Sequence, residues 1–210
     1  MRLPKNWHGI TIAQYQEINK VQKSSLEEVD KWCHILAILT DKQVDYFQQI
    51  DIGKLKKYFS KVAWINADEF YASKRKYVFH KGKLYKATTD AKDFNFARYV
   101  EIKTFLGRGD IVEQLHNLCA SIYAPLTRKG FIADAETHAQ RAKDFLSMPV
   151  GTIYQVVFFY SKVWNISIKR ILESGIKEAE KMNKEAEELL LETLRETLES
   201  IGDGTAQLTN

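Results

Sequence analysis

The sequence predicts a mainly α protein, a multi-helix bundle around a buried central helix, with one small β-hairpin insertion. Three observations predict this class. Apolar residues recur at helical spacing along most of the chain. Residues 150–164 are apolar around nearly the whole circumference of a helix, which is typical of a buried helix. Residues 76–87 instead carry β-forming side chains that alternate with lysines, as short strands do.

The stretch Val150–Trp164 is the expected central helix, with Pro149 near its first turn. Its 15 residues fall short of the roughly 20 that a bilayer-crossing helix needs, and it contains Gln155, Ser161 and Lys162. We therefore expect a core helix that continues to Leu172, and no membrane association.

Four short helices are expected in the first 62 residues. Each is predicted from a polar side chain that can accept a hydrogen bond from the first backbone N–H groups of a helix. The predicted caps are Thr11, Ser25 (in a capping box with Glu28), Thr40 (in a capping box with Gln43) and Asp51.

A β-hairpin is expected from Tyr77–Phe79 and Leu84–Tyr85, because Gly82 between them can take the positive φ of a tight turn. An isolated hairpin is marginally stable in water. The predicted hairpin should therefore pack against the helices or pair with a strand of another copy.

Three further helices are expected before the central one. Alanines on the last of them would allow close approach to the central helix. The predicted features are an N-cap at Asp93, an N-cap at Asp110 for a helix with Ile111, Leu115, Leu118, Cys119 and Ile122 inward, and an N-cap at Asp134 for a helix with Ala135, Ala139, Ala142 and Phe145 inward.

The composition changes at residue 173, which predicts a helical domain at 1–172 and an acidic C-terminal helix with a loose tail at 173–210. Residues 1–172 hold 27 Lys and Arg against 17 Asp and Glu, and residues 173–210 hold 4 against 10. Gly175 is expected to interrupt the helix there. Leu190, Leu194 and Leu198 step by four and predict an apolar stripe that packs on the chain's own domain or on a neighbouring subunit.

No residue set in the sequence demands catalysis. There is no HExxH, GxSxG or CxxC motif and no phosphate-binding glycine loop, and the five histidines are scattered. Cys33 and Cys119 are expected to be reduced core residues. The chain lacks an apolar signal sequence at its start, which favours a cytoplasmic protein. We expect no enzyme, no metal and no cofactor.

The basic and aromatic stretch 54–86 is the strongest interaction signal. Its lysines and aromatic residues could bind a nucleic-acid backbone and stack on bases. Alternatively, the aromatics are core and the lysines are the solvated side of the fold, which the alternation at 76–86 favours. The candidate surface residues are Lys74, Arg75, Lys76, Lys81, Lys83 and Lys86, together with the stripe Leu190, Leu194 and Leu198.

Several packing and capping patterns also carry a family resemblance. They are Ile10–Ile18, Ile35–Thr40, Asp51–Leu55, Leu118–Pro125 and Arg141–Val150. In this layout the chain resembles small virion and tail-assembly proteins of tailed bacteriophages. The resemblance covers most of residues 10–165 and excludes the acidic tail. It implies a non-enzymatic neck, tail or baseplate subunit, or a tail-assembly chaperone. Such a protein would bind other virion proteins or its own copies. It would act in the host cytoplasm and then in the virion. It assigns no functional residues.

Overall fold

The computed structural model describes residues 2–66, 75–88, 96–126 and 135–205. The fold is mainly α, as the sequence predicts, with one small antiparallel sheet. Short 3-10 helices lie at Trp7–Gly9 and Ala63–Asn66. The helices are α1 Ile12–Lys23, α2 Glu28–Thr40, α3 Val44–Gln48, α4 Ile52–Val62, α5 Phe96–Leu106, α6 Leu115–Ile122, α7 Ala135–Leu146 and α8 Val150–Thr205, and the strands are β1 Tyr77–His80, β2 Lys83–Ala87 and β3 Tyr123–Pro125.

Helix α8 is continuous over 56 residues, so the predicted interruption at Gly175 is wrong. A glycine inside a helix costs about 1 kcal/mol, which the good helix formers that follow it outweigh. The contacts divide the chain into two compact units, Met1–Ser161 and Lys162–Asn210. The division at residue 172 stays a prediction.

Two of the predicted N-caps are present. The Oγ1 atom of Thr11 accepts a hydrogen bond from the Gln14 backbone N–H, and the Gln14 side chain accepts one from the Thr11 N–H, which makes a complete capping box. The Oδ1 atom of Asp51 accepts hydrogen bonds from the N–H groups of Gly53 and Lys54 at 2.9 and 3.2 Å. These bonds fix where α1 and α4 begin.

The other two N-terminal caps were predicted wrongly. Helix α2 follows Glu27 and helix α3 follows Gln43, and neither residue makes a side-chain capping bond. The Thr40 hydroxyl instead donates to the Leu36 carbonyl at 2.7 Å, because Thr40 belongs to the last turn of α2. Ser25 lies three residues before the first residue of α2, too early to cap it.

The predicted hairpin is confirmed, and its turn consists of two residues with positive φ, Lys81 at 47° and Gly82 at 74°. This combination defines the type I′ turn, whose twist matches that of paired strands. The sheet also has a third strand, β3, which pairs antiparallel with β2 and so gives the order β1-β2-β3. The hairpin is therefore completed by a strand of its own chain, which the sequence analysis did not foresee.

The sheet is attached to α7 through the hairpin turn and through an aromatic core. The His80 Nε2 atom lies 2.9 Å from the Asp144 carbonyl oxygen, and Lys81 forms an ion pair with the Asp144 carboxylate at 3.1 Å. The fully buried ring of Phe145 contacts the rings of Tyr85 and Tyr123, with centroid distances of 5.1 and 5.9 Å. Helix α7 therefore covers the sheet face that carries Tyr85 and Tyr123.

The inward face of α7 differs from the prediction. Ala142 and Phe145 are buried as expected, but Ala139 is exposed, and His138 and Arg141 are buried in its place. Asp93 and Asp134, the predicted caps of α5 and α7, lie outside the described residues. Helix α6, in which Leu115, Leu118 and four further residues are buried, packs against both α5 and α7.

The first two turns of α8 are buried, as predicted for the central helix, through Val150, Ile153, Val156 and Val157. The side chains of the predicted central helix beyond residue 158 lie outside the described part of the chain. The start of α8 is joined to the N-terminal segment by an isolated β-bridge between Thr11 and Pro149. Two backbone hydrogen bonds of 2.9 Å, from residue 12 to residue 148 and from residue 150 to residue 10, flank that bridge.

Candidate interaction surfaces

The outer face of the sheet is the first candidate surface. Residues two apart on a strand, and partners directly across a ladder, share a face. The pairs Tyr77 with Lys86 and Phe79 with Leu84 therefore lie on one face, which we call the outer sheet face. Tyr77 is 50% exposed and Phe79 is 74% exposed, whereas Tyr85 on the opposite face is 1% exposed. The sheet thus presents two aromatic rings and a leucine to solvent.

Of the basic residues on the sheet, Lys86 shares this face, whereas Lys76 and Lys83 are in step with the buried Val78 and Tyr85 of the opposite face. Lys76, Lys83 and Lys86 are exposed and, within the described residues, take part in no ion pair. Arg75 is also exposed. Lys81 differs from the predicted set because its charge is paired with Asp144. Lys74 lies outside the described residues, so its part in the surface stays a prediction.

The second candidate surface is on α8. Every side chain from 176 to 195 is exposed, although the segment includes several leucines. Leu190 and Leu194, predicted as part of an apolar stripe, are 64% and 52% exposed. The side chain of Leu198 lies outside the described part. Leu189 and Leu191 are also exposed and were not singled out from the sequence, because they fall outside the four-residue step.

The charges on this helix are ordered around the apolar stripe. At 100° per residue, one side of the helix carries what we call the leucine stripe. Glutamates spaced seven apart border it on each side, whereas most of the basic residues lie on the reverse of the helix. The stripe consists of Ala179, Met182, Ala186, Leu189, Leu190 and Leu194, with Glu178, Glu185 and Glu192 on one flank and Glu180 and Glu187 on the other. This surface fits an apolar partner with a cationic rim.

A buried polar cluster joins α5, α6 and α7. The Ser121 hydroxyl donates to Glu101 Oε2 at 3.1 Å and lies 3.0 Å from His138 Nε2. The imidazole stacks on Phe105 with a centroid distance of 5.2 Å. Burial lowers the pKa of His138. The negative charge of Glu101 raises this pKa, and the positive charge of the nearby Arg141 lowers it further. The imidazole is therefore held mainly neutral at neutral pH.

The cluster resembles a catalytic triad in residue type but not in arrangement. Both Ser121 and Glu101 approach the same nitrogen of His138, Nε2, at 3.0 and 3.8 Å. In a Ser–His–acid triad the acid binds the other ring nitrogen, so that Nε2 can accept the serine proton. Ser121 is also fully buried, so a substrate could not reach it. The geometry is that of a structural hydrogen-bond network.

A second polar network connects α1 to the segment before α6. The Gln16 side-chain amide donates to the backbone carbonyl of Val112 at 2.9 Å and lies 2.9 Å from His116 Nδ1. Burial, followed by the charge of His138, lowers the pKa of His116. These contacts tie the N-terminal helix to the middle of the chain.

Asp110 belongs to the same network but does not cap α6 as predicted, because α6 begins at Leu115, after Gln114. Burial raises its pKa, but hydrogen bonds from Lys23, the Val112 N–H and Asn19 outweigh burial and give a lowered pKa. The pattern around Asp110 predicted only a helix cap. Its partners Asn19 and Lys23 are on α1, about 90 residues earlier, and no local pattern announces such a contact.

Within the described residues, no group of His, Cys, Asp and Glu side chains could hold a metal ion. None of the described helices combines the length and the apolar character that a bilayer span requires. Comparison of the chain with models of protein families, with curated proteins and with solved structures finds no match.

Proposed function

We propose that this chain is a non-enzymatic structural or assembly protein of a tailed-phage particle, acting through protein–protein contacts. It would serve as a neck, tail or baseplate subunit, or as a tail-assembly chaperone. It would act in the host cytoplasm during assembly and then, for a subunit, in the virion. The phage setting rests on the resemblance of residues 10–165 to small virion and tail-assembly proteins.

The observation that carries the proposal is the exposed leucine stripe. Leu189, Leu190 and Leu194 are all more than half exposed. Large contiguous apolar patches on a protein surface mark sites of interaction with other proteins or with membranes. The glutamates along both flanks favour a protein partner, because anionic lipid headgroups would repel them.

The proposal is tested by co-assembly. The gene should lie among those for portal, tail-tube and tape-measure proteins, and the chain, co-expressed with its neighbours, should co-purify with at least one of them. Leu190→Glu with Leu194→Glu should abolish this co-purification. Leu191→Glu, a matched change of an exposed leucine outside the stripe, should preserve it.

A chain that binds none of the co-expressed virion proteins, and that is absent from purified particles, would count against the phage function. Binding that survives the change of both Leu190 and Leu194 would instead remove the leucine stripe as the contact surface.

Nucleic-acid binding is the second candidate function, because Tyr77 and Phe79 are exposed beside Lys86, which forms no ion pair with the part of the chain that the structure describes. Several other aromatics of stretch 54–86 pack inside the fold. Trp64, for example, contacts the ring of Trp7 at a centroid distance of 5.0 Å. Nucleic-acid binding predicts affinity for single strands that falls steeply with salt. Affinity that is unchanged after Lys74, Arg75 and Lys76 become glutamate would exclude it.

A further inference from the structure

We propose that the chain self-associates head to tail, with the outer sheet face of one copy binding the leucine stripe of the next. This inference rests on the proposed function, for which it names one partner, a second copy of the chain. Its basis is the complementarity of the two exposed surfaces in charge and in the spacing of their apolar side chains.

The charges favour contact between a sheet face and a leucine stripe over contact between two leucine stripes. Two stripes facing each other would bring their glutamate-lined flanks together, and close like charges are repulsive. The sheet offers the opposite sign. Residues 75–88 contain five Lys and Arg and no acidic residue, and the exposed Lys86 lies on the outer sheet face itself. Docking would therefore place a glutamate flank of the stripe beside Lys86 on a sheet that carries no acidic residue.

The apolar side chains also match in spacing. Side chains two apart on a strand, such as Tyr77 and Phe79, are separated by roughly 6.6–6.8 Å along the strand. Side chains four apart on a helix, such as Leu190 and Leu194, are separated by about 6 Å along the helix. A helix that runs along β1 can thus place one leucine beside each aromatic ring.

This pairing uses two different surfaces of the same chain. Such a heterologous interface leaves one sheet face and one stripe free in every dimer, so association continues until a ring closes or an open chain forms. An isologous dimer, by contrast, would stop at two copies. The two modes are therefore distinguished by mixing variants.

The experiment measures association by sedimentation velocity for the full-length chain and two variants. The sheet variant carries Phe79→Glu and Leu84→Glu, and the stripe variant carries Leu190→Glu and Leu194→Glu. Each variant alone should associate about tenfold more weakly or worse than the unchanged chain. Mixed in equal amounts, they should form a one-to-one dimer, because one supplies an intact stripe and the other an intact sheet face.

The control variant Leu191→Glu should associate like the unchanged chain, since Leu191 is 66% exposed but lies outside the stripe. Circular dichroism verifies that each variant is folded. As a second sheet variant, Lys86→Glu leaves the apolar residues intact and should also weaken association.

Three outcomes would overturn the inference: an unchanged chain that stays monomeric, a sheet variant that associates normally, and a mixture that does not form the dimer. Monomeric chain that still co-purifies with virion proteins would remove head-to-tail association and leave the proposed function standing. Self-association of a chain that binds no virion protein would support head-to-tail association and count against the proposed function.

Discussion

Two parts of the same helix, α8, have opposite surroundings. At its start, Val150, Ile153, Val156 and Val157 are at most 4% exposed, whereas every side chain from 176 to 195 is exposed. The backbone conformation is the same in both parts. The difference comes from the side chains, since the first part is apolar on most sides and the second has one apolar stripe among charges. The comparison shows that helix formation and burial are set by separate features of the sequence.

The largest effect is expected from a charge placed in the buried part. Val157→Asp should unfold the first unit, because an unpaired buried charge costs several kcal/mol against a total stability of about 5–15 kcal/mol. Leu190→Asp, the matched change in the exposed part, should cost less than about 1 kcal/mol. Urea unfolding followed by circular dichroism measures both. A folded Val157→Asp variant that had lost only a partner would place the start of α8 in an interface.

The same contrast holds between the two faces of the sheet. Phe145→Ala removes the fully buried ring that packs on Tyr85 and Tyr123, and should cost about 3–5 kcal/mol. Phe79→Ala on the outer sheet face should change the free energy of unfolding by less than about 0.5 kcal/mol. Thermal and urea unfolding of the two variants tests this. Equal losses would show that the outer face is covered within the chain.

Helix capping gives a smaller effect. Asp51→Ala should cost about 1 kcal/mol, because the N–H groups of Gly53 and Lys54 lose their acceptor. Ser25→Ala should leave stability unchanged, since Ser25 lies outside the cap position of α2. The difference between the two midpoints of urea unfolding is the measurement. A loss at Ser25 as large as that at Asp51 would contradict the assigned start of α2.

The smallest change in the free energy of unfolding is expected from mild acidification, which acts on the histidines of the two buried polar networks. Burial lowers the pKa of His138 and of His116 in the folded chain. The unfolded chain, with histidine pKa values near 6.5, therefore binds more protons as the pH falls through that value. The free energy of unfolding should decrease from about pH 7.5 to pH 5.5. Urea unfolding of a His116→Gln, His138→Gln variant should show a flatter dependence, and an unchanged dependence would refute this assignment.

Some features encoded within a few residues were predictable from the sequence, namely the cap at Thr11, the cap at Asp51 and the turn at Gly82, which depend on neighbouring residues alone. The capping boxes at Ser25 and Thr40 are equally local patterns and were nevertheless predicted wrongly, because α2 and α3 begin later in the chain. The stripe at Leu190 and Leu194 follows from a periodic pattern, and its exposure agrees with the charged residues around it.

Features that depend on distant residues were not predictable in this way. Strand β3 has three residues and exists because β2, about 40 residues earlier, offers a free edge. The burial of His138 depends on Ser121 and Glu101, which belong to other helices. His138 and Arg141 share a helical face with Ala142 and Phe145, and this spacing was the local pattern that indicated their burial.

The bridge between Thr11 and Pro149 also has a consequence for synthesis of the chain. Residues 10–12 have no pairing partner until residues 148–150 have left the ribosome. At about 5–20 residues per second, the first helix waits roughly seven to thirty seconds for that partner. During this time the backbone groups of Ile10 and Ile12 lack their hydrogen-bond partners at residues 150 and 148. A nascent chain stalled before residue 148 should therefore remain sensitive to protease at its N-terminal end, and one extended well beyond residue 150 should become resistant.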